Sequence, residues 1–409
     1  MNSKITKIVL YPLTFILGSF IFYWLFSTFL PVSVGTSTSQ ITPTTSSKTT
    51  GYLTFEGPKT EVCPIDGEKF TLDEEKIWST RRPLLVMIEN QTDARPQSGL
   101  TNADIVYEAV AEGGITRFMG VFYCNAVKGA ANKYDVGPVR SARTYFLDLA
   151  SEYSDYPLYA HVGGANCSGG DSAGASETNC TTDKRAQALE QISKYGWTNQ
   201  GTWSDLNQFS LSYQACRREP DRTGVTKATE HTMYCSTTEL WNVAATRGLT
   251  NLTKVNNSSW DKAFRSWSFK ADDKSTVSTA STISFDFWGD KAYSVSWQYN
   301  PTTNTYLRSN AGSPAIDFNS QQQISVKNLV IQYAKETRSI DEHVHNLYAV
   351  IGTGDAIVFN DGQKIDATWT KTARQGRTIF KDKTGKEINF VPGQVWVEIL
   401  PIGNKISYL

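Results

Sequence analysis

The sequence lacks net charge: 40 Lys and Arg balance 40 Asp and Glu over 409 residues. Without a surplus of either sign there is no bulk attraction to nucleic acid, so no nucleic-acid partner is expected and any charged ligand must be met by a local site. Histidine is scarce, with four in the chain, and no two stand at the H-x-x-x-H or H-E-x-x-H spacing that sets imidazoles on one helix face. Neither a metal nor a cofactor is expected. Internal repeats are absent, which argues against solenoid and propeller architectures. Basic residues are also absent from the long interval between Lys7 and Lys48.

That interval holds "IVLYPLTFILGSFIFYWLFSTFL", Ile8 to Leu30, which carries no charge and has the length of a bilayer-crossing helix. Lys4 and Lys7 precede it, so the positive-inside bias predicts a cytoplasmic N-terminus with the remainder outside. The run exceeds the roughly 7 to 15 apolar residues of a signal-peptide core, so the expectation is an uncleaved, single-pass anchor in the cytoplasmic membrane. "SVGTSTSQITPTTSSKTTG" after it has the composition of a flexible spacer. Six cysteines outside the cytoplasm permit disulfides, in any of 15 connectivities. Cys167 and Cys180 bracket a polar Gly/Ser loop that a local bridge could close, and Cys216 with Cys235 is the next natural pair. Cys63, in "EVCPIDGEKFT", lacks the nearby second ligand of a zinc knuckle and reads as part of a turn.

From Arg82 to about Gly248, apolar runs such as "PLLVMIE", "ADIVYEAVAE" and "RFMGVFYC" alternate with helix-like segments such as "RTYFLDLASEY" and "TTELWNVAATRG". This predicts an α/β domain with a mixed sheet and packed helices. From about Thr276 the pattern is nearly all β, with hairpin signals at "NDGQ" and "DKTGK". The fold class expected is therefore α+β: an N-terminal transmembrane helix, an α/β domain, then a mostly β domain. The boundaries are 1–33 for tip and anchor, 34–75 for linker and turn, 76–250 for the first domain, 251–275 for a connector and 276–409 for the second domain.

The blocks "RPLLVMIEN", "ARPQSGL", "ADIVYEAVAEGGITRFMGVF", "GPVRSAR", "YAHVGG", "ATWTK" and "PGQVWVEILP" resemble, in order, the signature blocks of the YerB-like proteins. These are bacterial surface lipoproteins built from two domains of unknown function. The resemblance spans Arg82 to Pro401 and implies an envelope location but no settled activity. Two departures stand out. There is no early lipobox cysteine, and the block usually reading Pro-His-Asn-Leu-Tyr is Glu230-His231-Thr232-Met233-Tyr234 here.

The chemistry-bearing residues concentrate in the first domain. Arg140 and Arg143 in "GPVRSAR" stand at a predicted helix entrance, where the helix dipole repels cations unless an anion is near. Glu108 and Glu112, four apart on a predicted strand, would share one face, with Arg95 and Arg117 able to meet them. Two readings follow: an internal ion-pair network, or a polar cleft whose arginine forks receive a carboxylate or phosphate. Ser141 lies between the two arginines, and His161 or His231 could act as a base. His343 and His345 read as part of a solvated loop. The expected function is binding or scaffolding at the cell envelope, toward an anionic ligand or a protein partner, through Arg95, Arg117, Arg140, Ser141 and Arg143. The alternative is an envelope hydrolase or transferase acting on a saccharide or peptide, with Glu108, Glu112, His161 or His231 as acid and base.

Overall fold

A computed structural model of the protein describes residues 53–129, 134–167, 180–273 and 278–409. The predicted spacer, and the loop between Cys167 and Cys180, lie outside the described residues. Leu84–Glu89 (β1), Ile105–Glu112 (β2) and Ile115–Phe122 (β3) are buried along almost their whole length, as strands covered on both faces must be. β2 turns into β3 through Gly113 and Gly114, both at positive φ. β1 pairs antiparallel with β3 and parallel with Leu158–His161 (β4), which in turn pairs parallel with Asp205–Asn207 (β5).

The C-terminal part supplies Thr282–Asp286 (β6), Ser294–Asn300 (β7) and Thr305–Asn310 (β8), which form the antiparallel core of a second sheet with alternating buried residues. It then supplies Asn328–Ala334 (β9), Gly352–Asn360 (β10), Gln363–Lys371 (β11), Ile379–Asp382 (β12) and Val395–Pro401 (β13). These five strands extend the first sheet, giving ten strands in the order β12-β11-β10-β9-β13-β2-β3-β1-β4-β5. All seven residues of β13 are buried. It runs parallel to β9 on one side and β2 on the other, with Glu398 opposite Glu108.

The two faces of the large sheet follow from this register. Glu108, Phe118, Trp396 and Glu398 share one face and meet the second sheet there. Arg308 of β8 reaches across with Nη2 2.7 Å from Glu108 and Nη1 2.7 Å from Glu398. Its guanidinium also lies 4.7 Å from the Trp396 ring centroid and 5.2 Å from that of Trp297. All three charged side chains are fully buried. Burial and the neighbouring Glu108 push the Glu398 carboxyl well above its ordinary range. The opposite face is covered by Thr144–Ala150, whose Tyr145 donates its hydroxyl to the Val110 carbonyl at 2.8 Å.

These observations correct the expected fold class. The described chain is mostly β, and among the described residues the longest of four α-helices has ten residues, Thr237–Thr246. No helix among the described residues is long and apolar enough to cross a membrane. The transmembrane helix expected at Ile8 to Leu30 falls outside the described residues and has no support here. The separate α/β layer is likewise replaced by one sheet shared between the first half and the C-terminal strands. The short alternation of the sequence concealed this, because pairing between β2 and β13 spans nearly the whole folded region. Two disulfides close local loops, Cys167–Cys180 and Cys216–Cys235, and a third, Cys63–Cys124, joins residues 61 apart.

Arg308→Ala leaves the Glu108 carboxylate buried without its cation and is expected to cost about 3 to 5 kcal/mol. Urea unfolding of the purified protein checks this. A midpoint within experimental error of wild type would show that the cluster does not hold the sheets together.

Candidate functional site

The segment "GPVRSAR" is not itself helical up to Arg143. It is extended, and it fits where the carboxyl ends of β1 and β4 diverge. Glu89 donates its amide to the Pro138 carbonyl, Arg140 to Met87, Ala142 to Gly163, and Val162 to Arg140, at 2.9 to 3.2 Å. Gly137 is required at its start: its φ is +152°, and a Cβ there would lie 2.7 Å from the Met233 carbonyl oxygen. The segment thus carries Arg140, Ser141 and Arg143 to the crevice beyond the carboxyl ends of parallel strands, the usual ligand position in open parallel sheets.

Arg143 grips Glu112 with two donors, Nε at 3.1 Å from Oε2 and Nη2 at 2.7 Å from Oε1. Arg117 adds Nη2 at 3.0 Å from the same Oε1 and donates Nη1 to the Ser141 carbonyl at 3.0 Å. Burial raises the Glu112 carboxyl, but the two guanidiniums outweigh it and hold the group well below the usual carboxylate range. A second acidic residue stands beside this strut. Glu89, at the end of β1 and opposite Arg117 in register, has Oε1 3.2 Å from Arg140 Nε and Oε2 2.9 Å from His231 Nδ1. Arg140 Nε has no well-formed hydrogen bond, and its terminal nitrogens have no hydrogen-bond partner among the described residues.

A cleft of about 700 Å³ opens over this strut. Arg140, Ser141 and Arg143 line one side, Gly163 to Asn166 and Phe209 another, and Arg218, Glu230, His343 and His345 close it. The last two belong to the C-terminal half. His345 forms a β-bridge with Glu112, and its Nδ1 lies 2.8 Å from Asp341. His343 is exposed, while His345 is buried beneath the cleft edge.

The other residues singled out in the sequence lie elsewhere. Glu108 does not share a face with Glu112, because the β2–β3 register shifts between Val110 and Glu112; the bulge turns Glu112 toward Arg117 while Glu108 points to Arg308. Arg95 donates to Asn90 and to the Ala292 carbonyl, away from the cleft lining. His161 is fully buried with both ring nitrogens occupied, Nδ1 2.6 Å from the Gly163 carbonyl and Nε2 2.6 Å from Asp205, so it fixes strand ends and has no nitrogen free for a substrate. His231 is buried on Glu89. The sequence reading missed Glu89, Arg218 and Phe209. Glu89 alone had a signal, being the acidic end of the otherwise apolar run "LLVMIE".

Comparison with known proteins agrees with this architecture. Residues 71–250 match "Protein of unknown function (DUF3048) N-terminal domain", and residues 283–397 match the C-terminal domain of the same family. The chain belongs to the DUF3048, YerB-like family. It is 27% identical over 340 residues to "Putative lipoprotein YerB" of Bacillus subtilis (strain 168), covering 83% of this chain and 86% of that protein. The crystal structure of YerB protein from Bacillus subtilis shares the fold, with a TM-score of 0.63 at 24% identity over 85% of this chain and all of the other. In family terms the cleft is a joint product: the N-terminal DUF3048 domain supplies the arginines, and the C-terminal domain supplies His343 and His345.

The lowered Glu112 carboxyl makes a pH prediction. Its stabilisation is present above the unfolded carboxyl value of about 4.3 and is lost as pH falls toward the depressed folded value. Glu112→Gln is expected to be less stable than wild type at pH 7 and to lose less on going to pH 3. Arg143→Ala, which leaves Glu112 only Arg117, is expected to cost about 3 kcal/mol at pH 7. Urea midpoints at pH 7, 4 and 3 decide both; parallel acid limbs for wild type and Glu112→Gln would discard the strut.

Proposed function

We propose that this DUF3048 protein is an extracytoplasmic binding protein of the bacterial envelope whose cleft takes an anionic ligand. The observation that carries the reading is Arg140: its guanidinium rests on one oxygen of Glu89, lines the cleft, and has terminal donors with no hydrogen-bond partner among the described residues. A guanidinium in that state offers two parallel N–H groups, the geometry that receives a carboxylate or phosphate. Exposed Arg218 stands in the same cleft with one donor on the Thr229 carbonyl. The lipoprotein name of the Bacillus subtilis relative supports an envelope-surface location.

The acid–base chemistry that a hydrolase or transferase needs is poorly served by these residues. Glu108 is fully buried on Arg308, Glu112 is held ionised by two arginines, and both nitrogens of His161 are engaged. A general acid or base must reach the proton it moves. Binding asks only for the cations already present.

The test is a titration with multivalent anions, citrate and pyrophosphate, followed by calorimetry and thermal shift. Saturating ligand is expected to raise Tm in wild type, while Arg140→Gln is expected to lose at least tenfold in affinity and remain folded, since Glu89 keeps His231. Equal binding by wild type and Arg140→Gln would place any anion elsewhere.

A further inference from the structure

The cleft holds more than cations. Its volume, about 700 Å³, falls within the range of about 300 to 1,000 Å³ that accommodates a drug-sized organic ligand, far more than one inorganic anion fills. Its walls combine several kinds of group. Arg140, Arg143 and Arg218 supply positive charge that outnumbers the carboxylates Glu112 and Glu230, while Ser141, Thr182 and Thr229 supply neutral hydroxyls. Phe209 lines the same cleft yet is 52% exposed, an apolar ring held at the surface where burial was not achieved.

Phe209 owes that position to its segment. It lies in the single turn Gln208–Ser210 directly after β5, with its amide on the Asn207 side chain at 3.3 Å, so the ring is carried out beyond the sheet rather than into it. Two more exposed aromatics flank it in sequence. Trp203 is 38% exposed, with the Arg247 guanidinium 3.9 Å from its ring centroid, and Tyr213 is 71% exposed. Singly exposed aromatics need no explanation. One that lines a cleft rich in arginine and hydroxyls does, because water gains nothing from it and a ring-shaped ligand does.

Resting on the anionic-ligand reading above, we propose that the ligand is an acidic saccharide: a chain of pyranose rings bearing carboxylates. A pyranose presents an apolar C–H face that covers an aromatic ring, equatorial hydroxyls that pair with Ser141, Thr182 and Thr229, and a carboxylate that pairs with the Arg140 fork. A bare polyphosphate would leave Phe209 exposed.

The experiment uses the purified protein and three probes: trigalacturonate, the uncharged maltotriose, and citrate. Trigalacturonate is expected to bind at least tenfold more tightly than either of the others. Phe209→Ala is expected to lose at least fivefold for trigalacturonate with no change for citrate, and Phe209→Trp is expected to restore the loss. Arg140→Gln is expected to weaken both anions. If citrate binds as well as trigalacturonate and Phe209→Ala changes neither, the saccharide inference fails while the anion reading stands. If neither anion binds, the anion reading fails and takes the saccharide with it.

Discussion

The pairing of β13 between β9 and β2 is the constraint on which the rest depends. Seven consecutive residues, Val395–Pro401, are buried, paired with β9 along their whole length and with β2 from Val395 to Glu398, so the backbone donors and acceptors of the strand must be spent inside the protein. That pairing brings Glu398 opposite Glu108 and makes two carboxylates compete for one buried space. Arg308 resolves the conflict from the second sheet by meeting both carboxyl groups at 2.7 Å. The register of the central sheet, the contact between sheets and the charge state of the core are thus one problem with one solution.

Fixing β2 at that register decides what its far end can do. A strand that alternated regularly would send Glu108 and Glu112 to the same face, and both would sit under the second sheet. The shift between Val110 and Glu112 breaks the alternation. Glu112 therefore emerges on the face of Arg117, where the extended segment through Arg140 delivers Arg143. A single bulge separates a carboxylate that joins the halves from one that braces a cleft, with three residues between them in sequence.

Local features of this organisation were legible in the sequence. The alternation of "SVSWQYN" and the apolar run "LLVMIE" mark strands correctly because the pattern that matters there is carried within six or seven residues. The arginine-rich "GPVRSAR" stood out as needing an anion, and Arg143 has one in Glu112. What was hidden depended on distance along the chain or on a break in period. The partner of Glu108 is 200 residues away in Arg308, the partner of Arg140 is Glu89 on a different strand, and Cys63 bonds to Cys124 across 61 residues. No periodicity encodes such pairs. The bulge that reassigns Glu112 leaves no compositional mark, since Ala111 would suit a regular strand equally well.

The charge arithmetic around the cleft explains why the strut and the open cation coexist. Arg117, Arg140 and Arg143 face two carboxylates, Glu89 and Glu112. Two of the arginines converge on Glu112, so its charge is shared and its geometry is rigid. Glu89 is divided between Arg140 and His231, which leaves Arg140 held in place but only partly neutralised. A third carboxylate, Glu230, stands at the cleft edge within electrostatic reach of Arg140 and Arg218. Arg140 is placed at the cleft by its 3.2 Å ion pair with Glu89, so the direction in which its terminal nitrogens face is set by the fold before any ligand arrives.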